Sequence, residues 1–228
     1  MFEERDWIVR STPLAEQVYE YLRTAILTGK MEPGERIVET KLARQLQTSR
    51  SPVREAIRML VAEQLLRVST HSILVFRPTL EDFKQTYELR VAIETMACDL
   101  AARKMTDSVA ALLEHNLAET ERALRSGDKD GLIGLNSEFH TTILKASNNH
   151  RFQKIMSDVS ALIHYYWHLV VKLSTQQLNI LAEHTGVYEA LREGNGTLAA
   201  QRMSQHIMKD LAVMEAAYAR TENKGVNE

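Results

Sequence analysis

A short segment of the chain combines an apolar face with an arginine-bearing face at helical spacing. Ser51 is a suitable N-cap, and Pro52 would then occupy the first helical position, where its missing N–H costs nothing. The apolar positions that recur at helical spacing are Val53, Ala56, Ile57, Leu60 and Val61. Arg54 and Arg58 fall on the opposite side, and Arg50 lies just ahead of the helix. A helix that packs by one face and presents arginines on the other is suited to contact DNA phosphates and base edges.

Four residues farther along the chain are candidates for a metal site. Asn136 and His140 are four positions apart and share one face of a helix, while His184 and His206 lie on two later helical segments. If these helices turn toward one another, three imidazoles and one amide oxygen can bind a divalent cation. From the residues alone, a hydrogen-bonded role in the core or at the surface is commoner for such histidines, so both interpretations stay open.

Arg90 is a candidate for binding an anion. A guanidinium directed into a helical core can hold a carboxylate through two hydrogen bonds. Glu94 lies four residues along the same helix, however, and a salt bridge between the two is the simpler interpretation when no other information is used.

The composition is that of an ordinary globular chain, with an uneven distribution of charge. The 228 residues are 44% hydrophobic and carry a formal net charge of −2, which fits one large domain or two smaller ones. No run of about eighteen apolar residues is present, and the N-terminus lacks the apolar region of a signal peptide. Cys98 is the only cysteine, which excludes an intramolecular disulfide and fits the cytoplasm. Residues 41–77 hold seven basic and two acidic residues, the local excess expected of a nucleic-acid-binding element.

The apolar periodicity predicts a winged helix-turn-helix domain over residues 10–78. Its expected elements are a helix ending before Gly29, a strand at 36–38, a helix at about 40–47, the arginine-bearing helix ending near Glu63, and strands at 66–69 and 73–76 around a turn at 70–72. Helix, strand, helix, helix and hairpin is the element order of a winged helix-turn-helix domain.

Beyond Pro78 the chain contains no proline, and the pattern becomes entirely helical. We expect an antiparallel bundle of six helices over 79–221, followed by a polar tail at 222–228. The expected helices cover about 79–104, 107–126, 129–147, 150–173, 175–192 and 196–220. The fold class is therefore mainly α, with a small winged domain first and a helical domain second.

The N-terminal pattern resembles the GntR family of bacterial transcription regulators. The resemblance is carried by Ile26-Leu27-Thr28-Gly29, Pro33-Gly34-Glu35-Arg36-Ile37, Lys41-Leu42-Ala43 and Ser49-Arg50-Ser51-Pro52-Val53-Arg54-Glu55-Ala56. It implies that the arginine-bearing helix enters the major groove of a double-stranded DNA operator. The residues expected to contact DNA are Thr40, Ser49, Arg50, Ser51, Arg54, Arg58 and His71. Thr40 stands where relatives often have arginine, and the wing tip 70–72 lacks the usual glycine, which predicts a different operator preference.

The helical remainder resembles the FCD ligand-sensing domain of the FadR subfamily, in its six-helix, VanR-like branch. The matching positions are Glu88-Leu89-Arg90, Asn136-Ser137-Glu138-Phe139-His140, Glu183-His184 and Gln205-His206. The resemblance implies a divalent ion, Zn²⁺, Ni²⁺ or Mn²⁺, held by Asn136, His140, His184 and His206. Asn136 stands where metal-binding relatives commonly have Asp, so the site lacks a negative charge and is expected to bind more weakly. Together with Arg90, the metal implies that the effector is a small carboxylate.

These features predict a homodimeric transcription regulator, most often a repressor in this family, that binds a palindromic operator in the cytoplasm and responds to an effector. One alternative is a helical-bundle metalloenzyme, although Glu138 projects away from the site and leaves it without an evident general base. Another is a DNA-binding regulator whose metal is purely structural. Removing a structural metal would lower stability, whereas removing a sensing metal would mainly abolish the effector response.

Overall fold

The computed structural model describes residues 12–70, 72–173 and 179–225, with side chains over the same ranges apart from 170–173 and 220–225. The chain divides into two compact units, Met1–Arg77 and Pro78–Glu228, which are called the N-terminal unit and the C-terminal unit.

The N-terminal unit has the element order predicted from the sequence. Its elements are α1 (Leu14–Leu27), β1 (Arg36–Ile37), α2 (Glu39–Gln45), α3 (Arg50–Ala62), β2 (Leu66–Val68) and β3 (Ile73–Val75). The strands form an antiparallel sheet in the order β1-β3-β2, in which Ile73 pairs with both Ile37 and Val68. Helix α3 packs against α1, α2 and β2. Its fully buried side chains include Val53, Ala56 and Leu60, so the predicted apolar face is the one that faces the core.

The start of α3 differs from the prediction. Ser49, not Ser51, is the N-cap residue, and its side chain makes no capping hydrogen bond. Ser51 and Pro52 therefore lie inside the first helical turn. Proline is tolerated there because the first four N–H groups of a helix have no partner within the helix, so Pro52 did not mark a unique starting position.

The C-terminal unit contains six helices within its described residues. They are α4 (Leu80–Ala102), α5 (Asp107–Ser126), α6 (Lys129–Ala146), α7 (His150–Leu173), α8 (Ile180–Arg192) and α9 (Gly196–Gly225). A capping box begins α4, where Thr79 and Asp82 exchange side-chain and backbone hydrogen bonds. Helix α5 ends at Gly127, whose φ of 72° is a left-handed conformation that glycine adopts without strain.

Helix α4 lies at the centre of this unit. It packs along α9 and also contacts α6, α7 and α8, so its side chains reach most of the helices that bear candidate ligands. One apolar cluster of buried residues joins α4, α6 and α7 through Ile93, Ala97, Leu144 and Met156. Cys98 is also fully buried, as expected for a packed small side chain.

The helix limits depart from the prediction at the end of the chain. Helix α9 continues to Gly225, so the predicted polar tail at 222–228 begins inside a helix. The polar composition of this segment was no guide to its conformation, because helices tolerate Glu, Asn and Lys wherever they are not buried. The predicted start of the preceding helix at 175 lies outside the described residues, and α8 is described from Ile180.

Candidate functional site

The N-terminal unit presents its predicted DNA-contacting side chains on one surface. The predicted residues that are described and exposed are Thr40, Ser49, Arg50, Ser51, Arg54 and Arg58. His71, the remaining residue of the predicted set, lies outside the described residues. The arginines are exposed because α3 places its apolar side chains against α1, which leaves its polar face toward solvent.

Glu39 bridges two of these arginines, which the sequence analysis did not anticipate. Its Oε2 accepts hydrogen bonds from Arg54 Nη2 at 3.2 Å and Arg50 Nη2 at 3.4 Å. The hydrogen bond from Arg54 is the main reason that the pKa of the Glu39 carboxyl lies below its usual value. Arg58 pairs separately with Glu55 at 3.1 Å. The three arginines are thus paired with carboxylates of α2 and α3 while their side chains stay exposed.

An open depression of about 320 Å³ joins the second and third helices to the wing. Thr40 and Arg50 line it together with Ser69 and Ser72 of the β2–β3 turn. The turn is closed by the Ser69 N–H, which donates to Ser72 O at 2.8 Å. Residues that are far apart in the sequence therefore surround one concave surface.

The C-terminal unit brings the three predicted histidines together in its interior. His140 on α6, His184 on α8 and His206 on α9 are all buried. The Nε2 atom of His206 lies 3.2 Å from His140 Nε2 and 3.3 Å from His184 Nε2. One nitrogen from each ring falls within 4.8 Å of the others, a separation that a single metal ion can span.

Carboxylates orient two of the three imidazoles. His140 Nδ1 is 2.5 Å from Glu94 Oε2, and His206 Nδ1 is 2.9 Å from Glu183 Oε2. Burial raises the pKa of Glu94, but Arg90 and His140 outweigh it and hold that pKa well below its usual range. The ionised carboxylates accept from both Nδ1 atoms, and the Nε2 atom of the neutral His140 ring therefore directs a lone pair into the cluster. In metal sites, a carboxylate usually accepts a hydrogen bond from the second ring nitrogen of a ligating histidine in this way and fixes the orientation of its ring.

The third imidazole, His184, is positioned by stacking. Its ring lies parallel to that of Phe139, with centroids 3.9 Å apart. Burial, followed by the neighbouring His206 and His140, lowers its pKa well below the usual value, and burial lowers the pKa of His140 to about 4. Both rings are therefore neutral at pH 7, which is the form that ligates metals.

The cluster fits a divalent ion. Tetrahedral Zn²⁺–N distances imply nitrogens roughly 3.3 Å apart, close to the two observed Nε2 separations. Asn136 Oδ1 is buried and, within the described residues, has no hydrogen-bond partner. The same holds for His184 Nδ1, so a hydrogen bond from His184 Nε2 to His206 would leave Nδ1 an unpaired acceptor. Arg90 Nη2 also approaches His140 Nε2, but at 3.4 Å this is a long hydrogen bond.

Arg90 is buried beside the histidines with part of its guanidinium unused. Its Nε donates to Glu94 Oε1 at 2.8 Å, so the salt bridge weighed in the sequence analysis is present. The guanidinium also lies over the Tyr87 ring, 4.9 Å from the centroid. Although burial opposes its charge, Glu94 keeps the pKa of Arg90 raised. Among the described residues, Arg90 Nη1 has no hydrogen-bond partner.

Asp210 is a residue of this site that sequence reasoning missed. It lies on α9, four residues after His206, and its Oδ2 is 3.4 Å from His206 Nε2 and 3.9 Å from Arg90 Nη1. Burial raises its pKa to about 6, in spite of the nearby His206 and Arg90. The sequence contained one indication of this role. Asp210 lies four residues after the candidate ligand His206, and this spacing places both side chains on one face of a helix.

A surface depression of about 260 Å³ leads to the edge of the cluster. Its lining includes Glu183, Arg202, His206 and Lys209. Lys209 Nζ donates to Glu183 Oε1 at 2.9 Å, on the solvent side of the Glu183–His206 contact. The depression therefore approaches His206 from the solvent side.

Comparison with known proteins assigns both halves of the chain. Residues 14–72 match the family of bacterial regulatory proteins named gntR, and residues 85–209 match the FCD domain. The chain belongs to the GntR family. The family assignment is confirmed by a relative in Bacillus subtilis (strain 168), the HTH-type transcriptional regulator YdhC. It is 32% identical over 203 residues, which cover 88% of this chain and 91% of the relative.

Two further proteins are similar to this GntR chain, one in sequence and one in fold. The gluconate operon transcriptional repressor of Bacillus licheniformis is 28% identical over 143 residues, 63% of this chain and 58% of the relative. A transcriptional regulator of GntR type from Rhodococcus sp. RHA1 has a similar fold, with a TM-score of 0.76 at 24% identity, covering 91% of this chain and 100% of the other.

The matched domains and relatives are those of transcription regulators and not of enzymes. This GntR chain is a DNA-binding transcription regulator with a C-terminal effector-binding domain, and its mainly helical fold with a small winged sheet is confirmed. Within the described residues, no helix has the length and apolar character needed to cross a membrane.

Proposed function

We propose that the chain is a homodimeric repressor whose affinity for a palindromic operator is set by a small carboxylate bound next to a metal ion. In this proposal residues 10–78 bind DNA and residues 79–221 sense the effector. The observation that carries it is the convergence of three buried imidazole nitrogens beside Arg90, whose Nη1 has no hydrogen-bond partner in the described part of the chain.

The DNA-binding part of the proposal rests on the exposed face of α3. Arg50, Arg54 and Arg58 would contact phosphates and base edges of the major groove, with Ser49, Ser51 and Thr40 beside them. His71 of the wing completes the proposed set. Two copies of this face, related by a two-fold axis, would match the two half-sites of a palindrome. As a DNA-binding transcription regulator, the protein would act in the cytoplasm of a bacterial cell.

The metal would be held by Asn136, His140, His184 and His206. Three imidazoles suit Zn²⁺ and Ni²⁺ better than Mn²⁺. The ion supplies a positive charge that attracts a carboxylate oxygen. Asn136 contributes an amide oxygen in place of a charged one, so the protein's own ligands leave more of the ion's charge uncompensated. An anionic effector would provide that compensation.

Arg90 would hold the effector carboxylate from the other side. Its Nε donates to Glu94, which fixes the guanidinium plane, and its Nη1 lies 3.9 Å from Asp210 Oδ2. A carboxylate oxygen at this position would satisfy the buried donor, which otherwise costs free energy. The name of the gluconate operon repressor among the relatives supports both repression and a carboxylate effector.

The test begins with the operator, which can be selected in vitro from a random duplex pool with the purified full chain. Operator affinity is then measured for metal-loaded and chelated protein, with and without propionate, succinate, lactate, malate and gluconate. At least one carboxylate should change operator affinity tenfold or more in the metal-loaded protein only.

Two histidine variants provide the matched comparison. His184→Ala should lose at least about a hundredfold in metal affinity and lose the carboxylate response, while effector-free operator binding stays within about twofold. His115→Ala changes an exposed imidazole of α5 and should leave both properties intact. A carboxylate response that survives chelation would show that the metal takes no part in sensing. Operator affinity that no carboxylate changes would refute the sensing role.

A further inference from the structure

The depression between α2, α3 and the wing (β2, β3 and the turn that joins them) has a lining suited to an anion. Its charged lining residues are Arg36, Arg50 and Glu39, so arginines outnumber carboxylates. The Glu39 carboxylate is already paired with Arg50 and Arg54. Arg50 makes that contact through one Nη2 hydrogen bond of 3.4 Å, which leaves most of the five N–H groups of this exposed guanidinium for another acceptor.

Two serines of the wing and one threonine complete this lining. Ser69 Oγ lies 2.7 Å from Ser72 Oγ, and a contact between two hydroxyls uses the hydrogen of only one of them. When Ser69 donates in this contact, the hydroxyl hydrogen of Ser72 is available to a ligand. The other acceptor within reach of Ser69 Oγ, the carbonyl oxygen of Ser72, lies farther away at 3.3 Å. With Thr40, an exposed residue at the start of α2, the depression therefore combines a guanidinium with hydroxyl donors.

The position of the depression relates it to the DNA backbone. In a helix-turn-helix domain the second helix lies in the major groove while the first helix crosses the sugar-phosphate backbone. The depression is formed near the starts of α2 and α3, and Arg50 belongs both to its lining and to the exposed arginine face of α3. A DNA strand at the edge of the groove that α3 enters would therefore pass over the depression.

We propose that the depression binds one backbone phosphate in each operator half-site, through Arg50, Thr40 and the hydroxyls of Ser69 and Ser72. The inference rests on the proposed placement of α3 in the major groove of a half-site. Ser69 and Ser72 would then fix the position and orientation of the protein on the duplex without reading a base, because phosphate contacts carry no sequence information directly. These two serines join the DNA-contacting residues that the sequence predicts.

A phosphate is favoured over a base edge as the occupant. Phosphates protrude from the outside of a duplex, whereas base edges lie at the floor of a major groove about 8.5 Å deep. A concave site of about 320 Å³ admits the protruding group and excludes a paired base. Arginine, serine and threonine side chains are also among the usual donors to phosphate oxygens.

The experiment replaces single phosphates of the selected operator by uncharged methylphosphonates and measures the affinity of the full chain for each duplex. At one phosphate per half-site the replacement should weaken wild-type binding about tenfold, and in Ser69→Ala/Ser72→Ala the same replacement should cost about threefold or less. The salt dependence of this variant should equal that of the wild type, because no charge is removed.

Two further double variants control for changes in the turn and for the loss of hydroxyls elsewhere. Ser69→Thr/Ser72→Thr keeps both hydroxyls and should retain the wild-type sensitivity to methylphosphonates. Ser157→Ala/Ser160→Ala removes two exposed hydroxyls of α7 and should also retain it.

The outcomes separate this inference from the placement of α3 on which it rests. If the alanine variant keeps the wild-type sensitivity at every phosphate while Arg54→Ala weakens operator binding, α3 remains the recognition helix and the phosphate site is refuted. A sensitivity that is also lost in the threonine variant would assign the effect to the shape of the turn and overturn the role of the hydroxyls. If neither Arg54→Ala nor the alanine variant changes operator binding, the placement of α3 in the major groove itself fails.

Discussion

Glu39 in the N-terminal unit and Glu94 in the C-terminal unit each contact two basic side chains, but in opposite surroundings. Glu39 contacts Arg50 and Arg54, whose side chains are 59% and 50% exposed. Glu94 contacts Arg90 and His140, whose side chains are 1% and 8% exposed. A carboxylate that contacts two basic side chains therefore occurs once at the surface and once in the core.

The difference in burial decides what each group can do. Water and salt screen the exposed pairs, so a DNA phosphate can replace the Glu39 carboxylate at little cost. The buried pairs cannot exchange in this way, because separating them would leave charges without solvent. Glu94 therefore fixes the positions of the Arg90 guanidinium and the His140 ring. The ion pairs of Glu39 with its two arginines, in contrast, can be exchanged for pairs with another anion.

The largest expected effect is on stability. Glu94→Gln should lower the free energy of unfolding by about 3–5 kcal/mol, since it leaves a buried guanidinium without its charged partner. Glu39→Gln is the matched variant in the exposed setting and should change stability by less than about 1 kcal/mol. Urea unfolding of the metal-free protein measures both. Equal losses in the two variants would contradict the distinction drawn from burial.

The next effect is the pH dependence of the metal-free protein. The pKa of His140 falls from about 6.5 unfolded to about 4 folded, so the unfolded chain binds more protons between these values. The contribution of His140 to the free energy of unfolding should be complete above pH 6.5 and be lost as the pH falls toward 4, by on the order of 3 kcal/mol. His184, whose pKa is also lowered, acts in the same direction.

Asp210 acts with the opposite sign and provides the control. Its pKa rises to about 6, so its contribution is complete below its unfolded value near 3.8 and is lost as the pH rises through 6. Asp210→Asn should therefore make the loss on acidification steeper. Chemical unfolding of the wild type and of Asp210→Asn at several pH values tests both signs, and a flat profile of Asp210→Asn between pH 4 and 6.5 would refute the assigned burial of the imidazoles.

A smaller effect concerns DNA. Arg54→Ala should lose about 1–3 kcal/mol of operator binding and relax specificity if Arg54 contacts a base. If it contacts only phosphate, affinity should fall for all sequences and the salt dependence should weaken by about one unit. Arg122→Ala, an exposed arginine of the C-terminal unit, is the control. Unchanged binding in Arg54→Ala would mean that α3 is not the recognition helix.

The metal site should respond to a single charge. Asn136→Asp should tighten divalent metal binding about tenfold, because a carboxylate ligand adds the negative charge that the amide lacks. Competition with a metal-binding dye measures the change. An unaltered metal affinity of Asn136→Asp would show that Asn136 is not a metal ligand. The assignment of the three histidines as ligands would not be affected.

The smallest expected effect returns to Glu39. Glu39→Gln removes the negative charge beside Arg50 and Arg54 and frees both side chains, so non-specific DNA should bind up to about fivefold more tightly. Filter binding at two salt concentrations is sufficient. Weaker binding would show instead that Glu39 holds the arginines in the geometry that DNA requires.

Much of the fold was predictable because the apolar spacing of each helix is strong. The limits of α5 were predicted without error, since Thr106 and Gly127 mark its two ends. The start of α3 was wrong by two residues, because a proline in the first helical turn is compatible with several starting positions. The end of α9 was also misplaced, since polar residues at a chain end do not distinguish a helix from an extended tail.

The sequence by itself determined which residue types are available: an arginine face on a short helix, three histidines on three helices and one arginine on a fourth. Their periodicity and their resemblance to a family were sufficient for this. Only the tertiary structure decided that Glu94 and Glu183 orient the imidazoles and that Phe139 stacks on His184. It also decided that Asp210 Oδ2 has no hydrogen-bond donor among the described residues. These relations depend on how helices pack, and helical spacing specifies one face of each helix without specifying which face it meets.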